Sequence, residues 1–215
     1  MSFIEYVDQN SDRIAFLTVQ HVQVVLLSVA IAAVIGVGLG VATERAPRVR
    51  RALLAVTGTL LTIPSFALFG LLIPVLGLGL APTVVSLTVY AVFPILRNTV
   101  TGLETVDPAV IDASRGMGLA SRQRLMLVRL PLAWPVILNG IRVATIMVVA
   151  IASIGAAVRG PGLGELIFRG LSRIGGANAF NEAMSGVAGV VLVALTLDLL
   201  FVLIGRLTTP RGLHD

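Results

Sequence analysis

Two residues of opposite charge, Arg142 and Asp198, fall inside long apolar runs. A charge in such a run is costly unless it finds a partner. Counted at ~1.5 Å per residue from the nearest basic segment, Arg142 lies about ten residues in and Asp198 about seven. They therefore reach similar depth, and the expectation is a buried pair joining two helices. Snorkelling to the headgroups and a gate on a substrate path are the alternatives. Hydrolytic and redox chemistry have no comparable support. The chain has no cysteine, which removes disulfides, thiol nucleophiles and thiolate metal sites. His21 is expected at a membrane edge and His214 in the tail, and neither has metal-ligand spacing to another histidine or a carboxylate cluster. No G-x-S-x-G or H-E-x-x-H stretch occurs. All 16 basic residues are arginine, so a phosphate-binding G-x-x-x-x-G-K-[ST] loop is impossible. Any nucleotide used must be held by another chain, and the expectation is that this one is not an enzyme.

The longest polar interval, Asp107 to Pro131, lies near the middle of the chain, with Arg97, Arg115, Arg122, Arg124 and Arg129 in or beside it. Asp107 suits the cap of a short helix that begins at Pro108. Gly116 and Gly118 permit a sharp turn. Ser121 suits the cap of a second short helix, which Pro131 is expected to close. Two short helices at a glycine bend would project as a knob. A loop lying on anionic lipid is the other reading, and spacing alone does not choose between them.

What positions these residues is a very apolar scaffold. With 56% hydrophobic and 13% charged residues and a mean hydropathy of +0.97, the chain reads as an all-α integral membrane protein. About five spans are expected: His21 to Ala42, Ala52 to Leu76, Pro82 to Leu96 or Val100, Pro131 to Val158, and Ala183 to Gly205. Residues 1–20 are expected outside, along the interface through Phe3, Ile4, Tyr6 and Val7 or disordered. Residues 21–206 are expected to form one transmembrane domain and 207–215 a cytoplasmic tail. The acidic start is unlike a signal peptide. The polar interval and Glu44 to Arg51 carry most of the arginines, while Arg13, Arg159, Arg169 and Arg173 fall in the opposite class of loops. The positive-inside rule then puts the amino terminus outside and the carboxyl terminus inside. It also makes the net charge of +5 a matter of topology, so no nucleic-acid partner is expected.

Two further stretches stand out. Pro64, flanked by Thr62 and Ser65, predicts a kink in the second span that either packs or lines a pathway. Residues 159–181 open with a glycine-rich turn that leads to an amphipathic helix. That helix would put Leu163, Leu166, Ile167 and Leu171 on one face and space Glu165 and Arg169 for pairing. The expectation is an interfacial helix near the mouth, or a docking point for an external partner. No internal repeat supports a two-halves secondary carrier.

One motif carries a family resemblance. Asp112-Ala113-Ser114, three residues, Gly118, nine residues, Val128, one residue and Leu130-Pro131 resemble the EAA loop of the membrane subunits of binding-protein-dependent ABC importers. That pattern is Glu-Ala-Ala, three residues, Gly, nine residues, Ile, one residue, Leu-Pro. The spacing matches throughout, and the departures are Asp112, Ser114 and Val128. Thr62 to Ser65, Phe93 to Asn98, Asn139 to Arg142 and Gly162 to Gly170 are similar to permeases of the osmoprotectant branch.

The resemblance implies a type I ABC importer permease fold in the bacterial plasma membrane. It implies that Asp112, Ala113, Ser114, Gly118, Val128, Leu130 and Pro131 couple to a cytoplasmic ABC ATPase dimer. ATP-Mg would sit on that partner, and no cofactor or metal on this chain. A second permease subunit, identical or paralogous, and an external solute-binding protein with an aromatic cage would complete the assembly. Tyr90 is expected to pack rather than to bind ligand. The implied cargo is glycine betaine, choline, carnitine or proline. A permease for methionine or another amino acid is the alternative, and an ATP-independent channel or secondary carrier is the rival of another class.

Overall fold

The computed structural model describes residues 1–208; residues 209–215, with Arg211 and His214, lie outside the described residues. The described chain is helical throughout. Four helical stretches are long and apolar enough to cross a membrane: Ser11–Ala42, Leu80–Glu104, Ser121–Val158 and Ala179–Thr208. A bent pair of shorter helices makes up to a fifth.

The amino terminus corrects the expected boundary. Helix α1 (Phe3–Gln9) is opened by a capping box, in which the Ser2 hydroxyl accepts from the Glu5 amide and Glu5 accepts from the Ser2 amide. Helix α2 (Ser11–Ala42) then starts ten residues before the expected span. Residues 3–9 and 11–20 are therefore helical, the latter continuous with the first span. The reason is that Tyr6 and Leu17 are buried against the bundle, so packing carries the helix through polar sequence. His21 follows from this. It is not at an edge but fully buried, and its Nε2–H donates to the Val149 carbonyl at 3.1 Å.

The second expected span is not one kinked helix. Helices α3 (Pro47–Leu60) and α4 (Ser65–Leu76) meet at 96°. Pro64 is extended (φ −58, ψ 132) and forces the residue before it out of helical geometry, so the chain breaks rather than bends. Helix α5 (Leu80–Glu104) is longer than expected and is the axis of the bundle, packing on α2, α3, α4 and the later α8 (Leu130–Ala152). Leu87, Ala91, Ile95 and Leu96 are completely buried. Small residues let these helices approach closely. A Cβ on Gly40 would lie 2.6 Å from Thr99 Cγ2, and one on Gly140 would lie 2.5 Å from Asn98 Cβ.

After α5 come α6 (Pro108–Gly116) and α7 (Ser121–Arg124), then a π turn (Leu125–Arg129) that runs straight into α8. Pro131 thus does not close a helix. A proline ring collides with the carbonyl four residues earlier, and the wider π turn relieves that collision. The Leu130 amide accordingly reaches back five residues to Leu125. Including a 3₁₀ turn (Ser153–Val158), this stretch runs for 38 residues. At ~1.5 Å per residue it spans roughly 57 Å, well beyond ~30 Å of hydrocarbon, so one end of it stands clear of the membrane.

Helices α9 (Gly164–Ser172) and α10 (Ala179–Thr208) complete the fold. Helix α9 is not a loose interfacial helix. Leu163 and Leu166 are fully buried, and α9 packs on α10. Leu171, expected on the same face, is exposed. On α10 the exposed residues Leu192, Leu195, Leu199 and Leu203 recur at helical spacing, a stripe turned away from the bundle.

Candidate functional site

The polar interval folds as a knob at one end of the bundle. Asp107 Oδ1 accepts from the Ala109 amide at 2.8 Å, and Pro108 takes the first turn of α6, where a missing donor costs nothing. The helix stops where Gly118 takes φ +79, a left-handed conformation that favours glycine. The return into α7 is held by Arg124, which donates to the Leu119 carbonyl at 2.7 Å and to the Ser121 hydroxyl at 3.1 Å. Ser121 is not the cap. That position belongs to Ala120, whose amide donates to Gln123 Oε1 at 2.8 Å.

The motif residues divide by exposure. The Asp112 side chain is 70% exposed and reaches Arg115 at 3.3 Å, a surface pair worth little. Ala113 and Gly118 are exposed beside it, and Met117 is 73% exposed. Ser114 instead points inward and donates to the Ile111 carbonyl at 2.6 Å. Val128 and Leu130 are half-buried and Pro131 is exposed. Leu130 packs on a small core of Leu103, Ala133 and Ile137. The knob therefore offers an apolar tip with Asp112 and Arg115 exposed together, while its base is built into the bundle.

The base is tied down by charge. Arg129, the last residue of the π turn, donates from Nη2 to the Leu103 carbonyl at 2.8 Å and pairs through Nη1 with Glu44. Arg50 pairs with Glu104 at 2.8 Å. Neither tie is predictable from local spacing.

Inside the apolar region the structure brings Arg142 and Asp198 together. Arg142 Nε donates to Asp198 Oδ1 at 2.6 Å and Nη2 to Oδ2 at 2.8 Å, a bidentate fork between α8 and α10. Their side chains remain 36% and 31% exposed, and Arg142 lines a cleft with Asn139 and Arg206. At the α3–α4 break the Tyr90 hydroxyl donates to the Ile63 carbonyl at 2.6 Å, and Thr62 donates to the Thr59 carbonyl at 2.7 Å. Thr62 and Pro64 are exposed, and Ser65 is half-buried.

The opposite end carries another charge cluster. Glu165 does not pair with Arg169; it meets Arg13 at 2.8 Å. Arg169 turns to the buried Glu182 at 3.3 Å, which Arg13 approaches to 3.6 Å and Arg173 to 4.0 Å. Burial pushes the neighbouring Tyr6 phenol above its ordinary value, with the Glu182 carboxylate adding to the effect. The glycine-rich turn before α9 serves packing. Gly162 has φ +123, and a Cβ there would lie 2.8 Å from His21 Nδ1.

Comparison with known proteins agrees with this architecture. The family described as "Binding-protein-dependent transport system inner membrane component" matches residues 32–212. The chain is 38% identical over 219 residues to the osmoprotectant import permease protein OsmW of Salmonella typhimurium, covering 100% of each. It is 32% identical over 213 residues to the choline transport system permease protein OpuBB of Bacillus subtilis, covering 98% of this chain and 95% of that one. Among solved structures it is similar to a chain of the inward-facing MetNI methionine ABC transporter. That match has 25% identity and a TM-score of 0.80, over 92% of this chain and 96% of that one. A chain of an amino acid ABC transporter shares the fold at 18% identity and a TM-score of 0.75, over 96% and 98% of the two. This chain belongs to the binding-protein-dependent transport system inner membrane components, the multi-pass permease subunits of ABC importers with the type I fold.

Proposed function

We propose that this chain is the permease subunit of an ATP-driven importer of quaternary-amine compatible solutes, of the glycine betaine, choline, carnitine and proline class. The observation that carries the reading is end-to-end similarity to permeases named for osmoprotectant and choline transport, at 38% and 32% identity. The likeness to the methionine system is lower in identity, and it supports the fold more than the cargo.

In this reading the knob lies in the cytoplasm, where the arginine-rich loops place it by the positive-inside rule. Its tip, Asp112, Ala113, Met117 and Gly118, meets a separate ABC ATPase dimer that holds ATP-Mg. The base, Val128, Leu130 and Pro131, passes the movement into α8. Two permease subunits form the pathway, and an external binding protein delivers the solute. A one-third exposed ion pair at membrane depth is costly against lipid. That supports Arg142 and Asp198 facing the second subunit or the pathway, and the cost of non-helical backbone in lipid supports the same for the exposed break at Thr62, Pro64 and Ser65. Residues 1–20 and 159–181 then lie outside.

The test is the complete transporter reconstituted in liposomes, with uptake and ATPase activity measured across glycine betaine, choline, carnitine, proline and methionine. ATP-dependent uptake of a quaternary amine is expected. Selective stimulation by methionine would move the cargo to the amino-acid class. Uptake without ATP or the ATPase would sink the reading.

A further inference from the structure

We infer that Arg129 is the positioning residue that carries movement of the knob into α2 and α5. The inference rests on the coupling role proposed above and names the route by which coupling leaves the knob.

The mechanical problem is visible in the backbone. Helix α6 packs on α7 and on the π turn. Force on the tip therefore enters the long helix at that turn and at α7 before it, ahead of α8. A π turn is wider than an α turn and a common site of bending. Left free, it would absorb displacement by flexing. A lever with a soft joint transmits only if the joint is clamped on its output side.

Arg129 sits at that point, the last residue of the turn. Its two terminal nitrogens are committed to two different neighbours. Nη2 holds the carbonyl of Leu103 in the last turn of α5, and Nη1 holds Glu44 in the turn that closes α2. The side chain is 18% exposed and that of Glu44 21%, so the pair is shielded from salt far more than the Asp112–Arg115 pair. Lysine offers one ammonium where the guanidinium fork serves two acceptors in fixed directions. Glu104, one residue beyond Leu103, is tied to α3 through Arg50, so the clamp reaches a third helix. Close packing supplies the alternative route: a Cβ on Gly102 would lie 3.0 Å from the Ala133 carbonyl. That contact lies beyond the π turn, in α8, and does not stiffen the turn itself.

The experiment uses the complete transporter in liposomes and reads solute imported per ATP hydrolysed. The variants are Arg129→Ala, Arg129→Lys and Glu44→Gln, with Arg48→Ala, an exposed arginine of α3 outside the knob, as control. Arg129→Ala should lower solute per ATP about tenfold with assembly intact, within the usual span of coupling effects. Arg129→Lys and Glu44→Gln should fall between it and the unchanged control. Should Arg129→Ala fail to assemble, those two variants decide the question. A second readout follows the joint directly. The chain has no cysteine, so spin labels at Ala42→Cys and Ser121→Cys, across the cleft between α2 and α7, are the only ones it carries, and their distance within one subunit is the short one. That distance should be narrow in the parent and broad in the Arg129 variants. An unchanged solute-per-ATP ratio with an unchanged distance distribution overturns the inference. Absence of ATP-driven uptake in the parent would instead sink the proposed function, and the distance comparison would still judge the clamp.

Discussion

Arg142 and Asp198, 56 residues apart in sequence, meet in a planar fork, Nε to Oδ1 at 2.6 Å and Nη2 to Oδ2 at 2.8 Å, that joins α8 to α10. The fork satisfies both carboxylate oxygens from one guanidinium, which fixes the rotation of α8 against α10 as well as their separation. Truncating either partner leaves a single charge at membrane depth. Arg142→Ala and Asp198→Ala should each lower the amount of assembled permease severalfold, measured by size-exclusion chromatography in detergent. The swapped pair, Arg142→Asp with Asp198→Arg, should recover much of it. A swap that behaves like the single variants would show that neither residue depends on the other.

At the knob, Asp112 and Gly118 separate chemistry from conformation. A side chain on Gly118 meets no atom within 4 Å, so Gly118→Ala is opposed only by φ +79. That strain is about 1–2 kcal/mol, enough to shift the α6–α7 bend without unfolding the bundle. Asp112→Ala costs the fold almost nothing, because its carboxylate meets only an exposed arginine. Both variants should insert normally and lose uptake, while Asp112→Glu should retain it. Normal uptake in Gly118→Ala and Asp112→Ala together would remove the tip from the coupling role.

Local chemistry was legible in the sequence, and distant partnership was not. The Asp107 cap and the Gly118 turn concern neighbours a few residues away, so composition and order are enough to find them. The charges at 142 and 198 stand out because the solvent around them is apolar. Tyr90 and Arg129 carried no such signal, since their acceptors lie 27 and 26 residues away and are backbone carbonyls, which every residue has. Two boundaries were misread for a related reason. Polarity at residues 11–20 does not mark where a helix ends, because α2 runs through them. Pro131 interrupts a helix only if the turn before it keeps α geometry, and here that turn widens.

Tyr90 offers a test of how the broken helix is held. Its hydroxyl is the partner of the Ile63 carbonyl, which Pro64 removes from any continuing helix. Tyr90→Phe keeps the ring and deletes the bond, which should cost about 1–3 kcal/mol for an acceptor left unsatisfied. The melting temperature of the purified permease should fall by roughly 2–12 °C. If Thr62 alone holds the break, Tyr90→Phe will melt with the parent and Thr62→Val will not.

The charge cluster at the opposite end makes a differential prediction from burial. Glu165 and Glu182 both face Arg13, yet their side chains are 51% and 8% exposed. Glu165→Ala removes a surface pair and should shift stability by at most about 1 kcal/mol. Glu182→Ala removes the buried carboxylate around which Arg13, Arg169 and Arg173 converge, tying α2, α9 and α10 at one point. Arg169 Nε is buried and faces the Glu182 carboxylate at 3.3 Å, so the loss removes the charge opposite it. About 1–3 kcal/mol is expected there. The salt response separates the two as well, since the exposed pair is screened and the buried one far less so. Thermal melts at low and high salt should show the Glu165→Ala deficit vanish while the Glu182→Ala deficit persists. Equal shifts at both salts would mean that the two carboxylates are energetically alike, and that burial of Glu182 does not set the strength of the cluster.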